Sequence, residues 1–229
     1  MTESFDWHKE AEVQWDGRAG FWNERSKTMW DDGSRKDIIP FIEKHLQKEN
    51  SILDIGCGDG YGTYRLHKSG YIATGMDLSN EMISKARERL NQNEIHFIQG
   101  DISNMPFSDG SFDAVMAINV LEWTEKPAVA LQELFRVLKR GGTLYCGILG
   151  PAAGPRANSY PRLHGEKAIC NTMMPWEFEK LAADYNFTYL DGFGVYKEGV
   201  KPHHHEGLSP DLRQALSFLW LFMLRKEGE

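Results

Sequence analysis

The feature that most constrains the fold is a run of alternating glycines that follows an apolar segment in the first third of the chain. Residues Leu53–Gly60 read Leu-Asp-Ile-Gly-Cys-Gly-Asp-Gly. Glycine allows a sharp turn and lets backbone N–H groups come close to a bound nucleotide. The stretch therefore predicts a buried strand that ends in a nucleotide-binding turn.

The spacing of the glycines discriminates between nucleotides. A dinucleotide fingerprint, G-x-G-x-x-G, would need glycine at Tyr61 or Thr63, and neither position supplies it. An NAD-dependent oxidoreductase stays open as an alternative, because a glycine turn with an acid about 20 residues later also serves that cofactor. No Tyr/Lys or His/Asp set typical of hydride transfer is recognisable in the sequence, which disfavours this alternative.

Size and charge narrow the class of protein. With 229 residues, 41% of them hydrophobic and 26% charged, the chain has an ordinary globular composition and enough length for one substantial core. Its 33 acidic residues outnumber its 26 Lys and Arg, and no dense basic stripe is present. We therefore expect no nucleic-acid partner.

Cysteine usage and hydropathy bear on location. Cys57, Cys146 and Cys170 form no C-x-x-C pair, and no apolar signal segment is found at the start of the chain. We expect a cytoplasmic protein without structural disulfides. The longest apolar run, Phe218–Leu224, has seven residues, whereas a membrane-spanning helix needs roughly 20. We therefore expect a buried strand there and no membrane span.

Strand-like runs alternate with helix-like segments from residue 51 onward, which indicates βαβ units and a parallel sheet covered on both faces. Strands are predicted at Ser51–Ile55, Tyr71–Met76, Ile95–Gln99, Phe112–Ile118 and Thr143–Ile148. Farther along, we predict helices near Trp176–Tyr185 and Pro210–Leu216 and strands near Thr188–Tyr196 and Phe218–Lys226.

Two helices have recognisable ends. Residues 127–141 are predicted to form a helix that begins at Pro127, carries Lys139 and Arg140 in its last turn and stops at Gly141. Residues 79–90 are predicted to form a second helix, capped by Ser79. Its apolar residues face inward while its arginines face water, with Met82, Ile83, Ala86 and Leu90 on the first side and Arg87 and Arg89 on the second.

Asp54, Gly56, Gly58 and Gly60 form an acid, one residue and then Gly-x-Gly-x-Gly at the end of a first strand. In this motif the chain resembles the class I S-adenosylmethionine-dependent methyltransferases. The resemblance implies a Rossmann-like, doubly wound α/β fold with a seven-stranded sheet, mostly parallel with an antiparallel last strand. We expect residues 1–34 to form aromatic cap helices and residues 35–229 to form the methyltransferase domain, with a substrate-side loop at 150–175.

The resemblance is to the small-molecule branch of this family, the methyltransferase type 11 and quinone-biosynthesis group. It implies S-adenosyl-L-methionine as the cofactor and a small-molecule acceptor, methylated by in-line displacement that depends mainly on proximity. No Asn-Pro-Pro-Tyr or Asp-Pro-Pro-Tyr motif occurs and no cysteine follows a proline, which argues against methylation of DNA bases. No catalytic residue is predicted, because a general base is optional. A non-catalytic S-adenosylmethionine-binding protein is the second alternative.

Acids at strand ends supply the main cofactor candidates. Asp77 lies 21 residues after Gly56 and is suited to the ribose hydroxyls, although it also stands where a helix begins. The resemblance implies that Asp101 and Ile102 hold the adenine, the alternative for Asp101 being a surface loop. It also implies that Asp54 orients the amino group of the cofactor. Cys57, Leu78, Met82 and Asn119 complete this part of the predicted site.

Tryptophans recur through the N-terminal segment at positions 7, 15, 22 and 30, and Gly17 and Gly20 should divide it into two helices. Trp22 and Trp30 are candidates to face the cofactor, against the alternative of plain aromatic packing. Arg35 is a candidate partner for the cofactor carboxylate, against the alternative of a solvated arginine.

Three further residues are candidates for the substrate side, namely Trp123, Tyr160 and His164. Related enzymes often carry histidine where Trp123 stands, so no histidine role transfers to that position. The run His203–His205 is predicted to be a solvated loop, because adjacent residues do not easily converge on one metal ion. No metal site is predicted.

Overall fold

The computed structural model describes residues 5–89 and 95–228. Its strands are β1 (Ser51–Ile55), β2 (Ile72–Asp77), β3 (His96–Gln99), β4 (Phe112–Ile118), β5 (Leu138–Leu149), β6 (Phe187–Tyr196) and β7 (Ser217–Lys226). They form one seven-stranded sheet in the order β3-β2-β1-β4-β5-β7-β6. The pairs from β3 to β5 are parallel, and β7 is antiparallel to both of its neighbours. The predicted sheet, mostly parallel with an antiparallel last strand, is confirmed.

Helices flank this sheet on both sides. They are α1 (Trp7–Asp16), α2 (Ala19–Asp31), α3 (Ile38–His45), α4 (Tyr61–Lys68), α5 (Asn80–Arg89), α6 (Pro127–Val137), α7 (Pro175–Asp184), α8 (Pro202–His205) and α9 (Pro210–Leu216). Within the described ranges, none is long and apolar enough to cross a membrane.

Successive side chains of each strand enter opposite cores, as the pleat of a sheet requires. Leu53 packs in the core that contains α6 and α7, whereas its neighbour Ile52 packs in the core that contains α3 and α4. Burial on both faces explains why the strands are near-continuous apolar runs rather than alternating ones.

The order of the strands determines where a ligand site can form. The chain runs from β1 outward to β2 and β3 on one side, and then returns to β4 and β5 on the other. In such sheets the crevice outside the carboxyl ends of the strands, at the point of reversal, is the usual ligand site. Here that point lies between β1 and β4.

The predicted helix at 127–141 is too long. Helix α6 ends at Val137, and the next residues belong to β5, where Leu138 pairs with Phe112 and is fully buried. Lys139 does not neutralise a helix end, because its Nζ lies 2.7 Å from Asp113 Oδ1 of the neighbouring strand. Burial of Leu138 and pairing with β4 thus replace the last predicted turn.

The N-cap of α5 is confirmed, since the Met82 N–H donates to Ser79 Oγ at 3.1 Å. The prediction that its arginines face water holds for Arg87, which is exposed, and is wrong for Arg89. The guanidinium of Arg89 pairs with the buried Asp59, and Arg87 donates to the carbonyl of Phe97 at 2.8 Å. The predicted inward residue Leu90 lies outside the described residues.

The N-terminal segment forms two helices as predicted, with the break after Asp16, while Gly20 lies inside α2. The long connection after β5 contains a 3₁₀ segment, Gly154–His164.

Candidate functional site

A cavity of about 470 Å³ opens at the carboxyl ends of β1 to β4 and is covered by α1 and α2. Most predicted site residues line it: Trp22, Trp30, Arg35, Gly56, Cys57, Gly58, Asp77, Leu78, Met82, Asp101, Ile102, Asn119 and Trp123. Asp54, Gly60, Tyr160 and His164 are not among its lining residues. The cavity has the size and the mixed apolar and polar lining of a small-molecule site.

The glycine turn forms the floor next to β1. Gly56 and Gly58 both have left-handed backbones, with φ of 67° and 56°, and a Cβ on Gly56 would overlap the Val120 side chain. Gly60 also has a positive φ of 75°, but a Cβ there would come within 2.8 Å of Ala86 and Phe97. Gly60 therefore lets α5 and β3 pack against the turn, which explains its place outside the cavity.

Asp77, at the end of β2, stabilises the glycine turn. One carboxylate oxygen accepts from the Gly58 N–H at 2.8 Å and the other from the Ser79 N–H at 2.9 Å. Burial raises the pKa of this carboxyl, and the two backbone donors oppose that rise. Because each oxygen keeps a further lone pair, Asp77 has the capacity to accept from a ligand as well.

Asp101, which follows β3, is arranged similarly. Its Oδ1 accepts from the Ser103 N–H at 2.8 Å, and its Oδ2 lies 3.3 Å from Nδ1 of His8 on α1. The neighbouring Ile102 is 7% exposed and forms an apolar surface of the cavity. The pair offers a hydrogen-bond acceptor beside an apolar wall.

Asp54 lies behind the glycine turn, where it is 3% exposed. It accepts a hydrogen bond from Thr63 Oγ1 at 2.7 Å, and burial raises its pKa to about 7. Arg35 acts electrostatically in the opposite direction and lowers this pKa. Any influence of Asp54 on a ligand must therefore pass through the turn or through Arg35.

Asp59, which the sequence analysis did not select, ties the cap to the turn. This 4% exposed residue accepts from Ser26 Oγ on α2 at 2.5 Å and pairs with Arg89 on α5. Its position between two of the alternating glycines marks it in the sequence as part of the turn. Its role as a link to α2 and α5 is not readable there, because its partners lie about 30 residues away in sequence.

Arg35 presents a cation to the cavity. Its guanidinium carbon lies 5.4 Å from the centre of the Trp30 ring and 5.9 Å from that of Trp22. Burial lowers its pKa. Among the described residues no ion pair or hydrogen bond is found for this guanidinium, although Asp54, Asp59 and Glu122 stabilise its charge at longer range. A partly buried guanidinium without such a partner among the described residues is well suited to an anionic ligand group.

Helix α1 crosses the cavity with two different faces. Trp7, Ala11 and Trp15 line the cavity. The residues that follow them contact the sheet side: His8 meets Asp101, Glu12 accepts from Gln99 Nε2 at 3.0 Å, and Asp16 accepts from Ser79 Oγ at 2.5 Å. A spacing of four residues on each face explains why one helix makes both sets of contacts.

Apolar residues form the far side of the cavity. We call Trp7, Trp15, Trp123, Leu149 and Phe218 the aromatic wall. Trp15 meets Trp123 edge-on with ring centres 5.3 Å apart, and both pack in one cluster with Leu149 and Phe218. Trp7 joins them through a hydrogen bond from its Nε1 to the carbonyl of Trp123 at 2.8 Å.

Buried polar groups fasten the loop after β5 to the turn after β4. The fully buried Glu122 accepts from the Leu149 N–H at 2.6 Å, and burial raises its pKa. Arg156, 9% exposed, donates to the carbonyls of Gly150 at 2.9 Å and Met173 at 2.7 Å, and to that of Leu149. Asn171 donates to the carbonyls of Leu121 and Thr124. These contacts fix the position of the aromatic wall.

The loop candidates of the sequence analysis lie elsewhere. Tyr160 is 59% exposed and packs against His164, with ring centres 5.4 Å apart, on the 3₁₀ segment. Only Pro155 of that segment lines the cavity, because Arg156 pulls the start of the segment inward and leaves its end outside. The run His203–His205 belongs to the short helix α8 and not to the predicted loop, and its His205 ring stacks on Tyr196 with ring centres 4.1 Å apart.

Comparison with known proteins indicates to which protein family the central part of the chain is similar. Residues 53–146 match the family described as a methyltransferase domain. Over this segment the chain is similar to class I, S-adenosylmethionine-dependent methyltransferases. The match runs from β1 to β5, and therefore includes the glycine turn and the two strand-end acids.

Two curated relatives illustrate the range of the family. The malonyl-[acyl-carrier protein] O-methyltransferase of Erwinia pyrifoliae is 39% identical over 101 residues, which cover 43% of this chain and 38% of the relative. The demethylmenaquinone methyltransferase of Staphylococcus haemolyticus is 37% identical over 117 residues, which cover 49% of this chain and 48% of the relative. The chain spans less than half the length of either relative, and the two are named for different acceptors.

The fold extends beyond the matched segment. A chain in the solved complex between the Haloferax volcanii Trm112 methyltransferase activator and a methyltransferase superposes with a TM-score of 0.75. That likeness covers 96% of this chain and 98% of the other at 19% identity, so it concerns the fold.

The residues around the cavity fit the cofactor of this family. S-adenosylmethionine presents ribose hydroxyls and an adenine amino group, which need acceptors, and a carboxylate, which needs a cation. Asp77 and Asp101 keep free lone pairs at the ends of neighbouring strands, and Arg35 lacks an ion-pair partner among the described residues. The two acceptors and the cation are thus complementary to the ribose hydroxyls, the adenine amino group and the carboxylate of that molecule.

Proposed function

We propose that this protein transfers the methyl group of S-adenosylmethionine to a small-molecule acceptor. The observation that carries the proposal is the convergence of the glycine turn, two strand-end carboxylates and an unpaired guanidinium on one cavity. The family match of residues 53–146 supports it. Neither support identifies the acceptor, since the relatives are named for different ones.

Each polar residue has a binding role in this proposal. Asp77 accepts from the ribose hydroxyls while the Gly58 and Ser79 N–H groups hold its carboxylate in place. Asp101 accepts from the adenine amino group, with Ile102 against the ring. Arg35 binds the carboxylate of the cofactor. Asp54 lies behind the turn and stabilises the positive charge of Arg35, so it affects the cofactor carboxylate only through Arg35.

Methyl transfer from S-adenosylmethionine requires correct placement of the acceptor more than it requires proton transfer. When bound, S-adenosylmethionine supplies a methyl group that its sulfonium already activates for in-line displacement. The task of the chain is to hold an acceptor at near-attack distance and to exclude water, which accounts for large rate accelerations on its own. Helices α1 and α2 cover the cavity and perform the exclusion.

Calorimetric titration of the purified chain with S-adenosylmethionine, S-adenosylhomocysteine and NAD tests the cofactor. We expect micromolar binding of the first two and none of NAD. Binding of NAD alone would restore the oxidoreductase alternative. If both sulfur compounds bind but no member of a broad metabolite pool yields S-adenosylhomocysteine, the protein is a non-catalytic binder.

A further inference from the structure

We propose that the acceptor is a flat, apolar molecule whose nucleophilic oxygen or sulfur is already deprotonated when it enters the cavity. The inference rests on the proposed function, because it concerns the part of the cavity that the cofactor does not use. That part is the aromatic wall, which adjoins the glycine turn through Asn119 and Val120.

The aromatic wall leaves few polar atoms for an acceptor. The indole N–H of Trp123 donates to the carbonyl of Asn119 at 2.7 Å, and that of Trp7 donates to the carbonyl of Trp123 at 2.8 Å. The hydroxyl of Thr124 beside them donates to the carbonyl of Leu121 at 2.9 Å. An acceptor with a polar body would lose its hydrogen bonds to water here and gain none from these three groups, at a cost of about 1–3 kcal/mol per group.

The shape of the wall favours a planar body. Trp15 and Trp123 meet at an interplanar angle of 76°, and Leu149 and Phe218 pack in the same cluster. Indole and phenyl surfaces contact a flat ring over a large area and add favourable edge or face interactions. A ring thus gains more from this wall than a branched polar chain of the same size.

Within the described ranges, the titratable groups that line the cavity are either bonded to other groups of the chain or distant from the aromatic wall. The carboxylates of Asp59, Asp77 and Asp101 accept from the chain itself, and His8 pairs with Asp101 after β3, three strand positions from the turn after β4 that carries Trp123. Burial raises the pKa of the Cys57 thiol well above its usual range, so this group stays protonated and is no base. Glu125 and Lys126 are exposed at the rim. None of these groups is placed to deprotonate a nucleophile against the aromatic wall.

The transfer step balances without an enzyme base. A lone pair of the anionic oxygen or sulfur forms the bond to the methyl carbon. The bond from that carbon to the sulfonium breaks, and its electron pair stays on sulfur to give neutral S-adenosylhomocysteine. The negative acceptor and the positive sulfonium cancel each other, a change that a water-poor cavity favours.

Four acceptors in two matched pairs test the inference with the full chain and S-adenosylmethionine. 4-Nitrophenol and 4-nitrobenzyl alcohol share a flat body and differ in ionisation, whereas thiophenol and 1-thioglycerol share a thiol and differ in flatness and polarity. We expect the first of each pair to yield S-adenosylhomocysteine at least 100-fold faster, after subtraction of the reaction without enzyme. We also expect kcat/KM to rise with pH through the pKa of each acceptor and to shift when the acceptor changes.

Comparable rates within either pair would overturn the inference, as would one pH midpoint common to all acceptors, which would reveal a base on the enzyme. Absence of turnover with all four, in a protein that converts S-adenosylmethionine with another acceptor, would also overturn it. Those outcomes leave the proposed function intact. Failure of S-adenosylmethionine and S-adenosylhomocysteine to bind would instead remove the proposed function.

Variants at Trp123 test whether the aromatic wall binds the acceptor. Trp123→Phe and Trp123→Gln both lose the hydrogen bond to Asn119, but only the first keeps an apolar wall. We expect Trp123→Gln to raise KM for thiophenol at least tenfold relative to Trp123→Phe, with S-adenosylhomocysteine affinity unchanged in both. Trp176→Phe, at an indole 37% exposed and outside the cavity, serves as the control. Equal KM values in the two Trp123 variants would contradict the assignment of the wall.

Discussion

Single side chains shape the ligand site before any ligand is present. Asp77 has each carboxylate oxygen fixed by a backbone N–H, one from the glycine turn and one from the start of α5. A carboxylate held in this way loses little freedom when a ligand binds, which favours affinity. The same side chain therefore serves both the conformation of the turn and the proposed ribose contact.

Asp77→Asn should weaken binding of S-adenosylhomocysteine at least tenfold, because hydrogen bonds to a charged group contribute about 1.5–3 kcal/mol. Calorimetry measures the affinity, and the thermal midpoint checks the fold. Asp109→Asn, at a side chain 82% exposed, is the matched control and should bind normally. Unchanged affinity in a folded Asp77→Asn variant would remove the ribose assignment.

Asp54 makes stability depend on pH. Its pKa of about 7 lies above the unfolded value, so the native state holds a proton that the unfolded chain has released. The free energy of unfolding should be highest below about pH 4 for this group and fall as pH rises to about 7. Urea unfolding of wild type and Asp54→Asn at pH 5 and pH 8 isolates the effect, because other groups are common to both. The variant should show the smaller fall, and parallel values would refute the prediction.

The sequence predicts strand-end acids better than distant pairs. Asp77 and Asp101 were found because the carboxyl ends of parallel strands gather at one edge, so position along the chain implies position in space. Asp59 with Arg89, and Glu122 with the loop after β5, were missed because hydropathy patterns identify a buried face and not the partner across it. The same limit explains why Arg89 was expected to face water.

Among the elements, the loop after β5 depends most on buried polar contacts. Arg156→Met would remove the guanidinium that donates to the carbonyls of Leu149, Gly150 and Met173. We expect a loss of about 2–4 kcal/mol in the free energy of unfolding, measured with urea. Arg162→Met, at an exposed arginine of the same segment, should change it by about 0.5 kcal/mol or less. Equal losses in the two variants would show that Arg156 is not the fastening group.

Element boundaries were predicted where a local signal exists. Ser79 caps α5 and the break after α1 follows from glycine, since both depend on neighbouring residues. The end of α6 was misplaced because Gly141 is a local stop signal, while the pairing of Leu138 with Phe112 connects residues 26 apart in sequence. Pairing across strands decided the boundary in place of propensity.

For the molecule as a whole, the proposed division places residues 1–34 as a cap on a domain formed by residues 35–229. The cap is bound at both ends of the site, through Ser26 to Asp59 and through Asp16 to Ser79. A cofactor that binds beneath α1 must therefore pass this cap on entry and is enclosed by it afterwards.

Hydrogen exchange in α1 should consequently slow when S-adenosylhomocysteine binds. At a ligand concentration about 100 times Kd, binding stabilises the closed state by about 2.7 kcal/mol, which allows a protection gain of up to about 100-fold. Mass spectrometry of peptides from α1 measures it, and peptides from edge strand β6, outside the cavity, are the internal reference. Equal protection in both regions would indicate global stabilisation without a special role for the cap.

The order of the strands has a consequence for how such a chain can diversify. In the proposed arrangement Arg35 and residues 51–102 bind the methyl donor, whereas the acceptor meets α1, the turn after β4 and the loop after β5. The segments that determine the acceptor can therefore be exchanged without a change in donor binding. A hybrid that keeps Arg35 and residues 51–102 and receives α1, the turn after β4 and the loop after β5 from a relative should retain its donor and inherit a new acceptor.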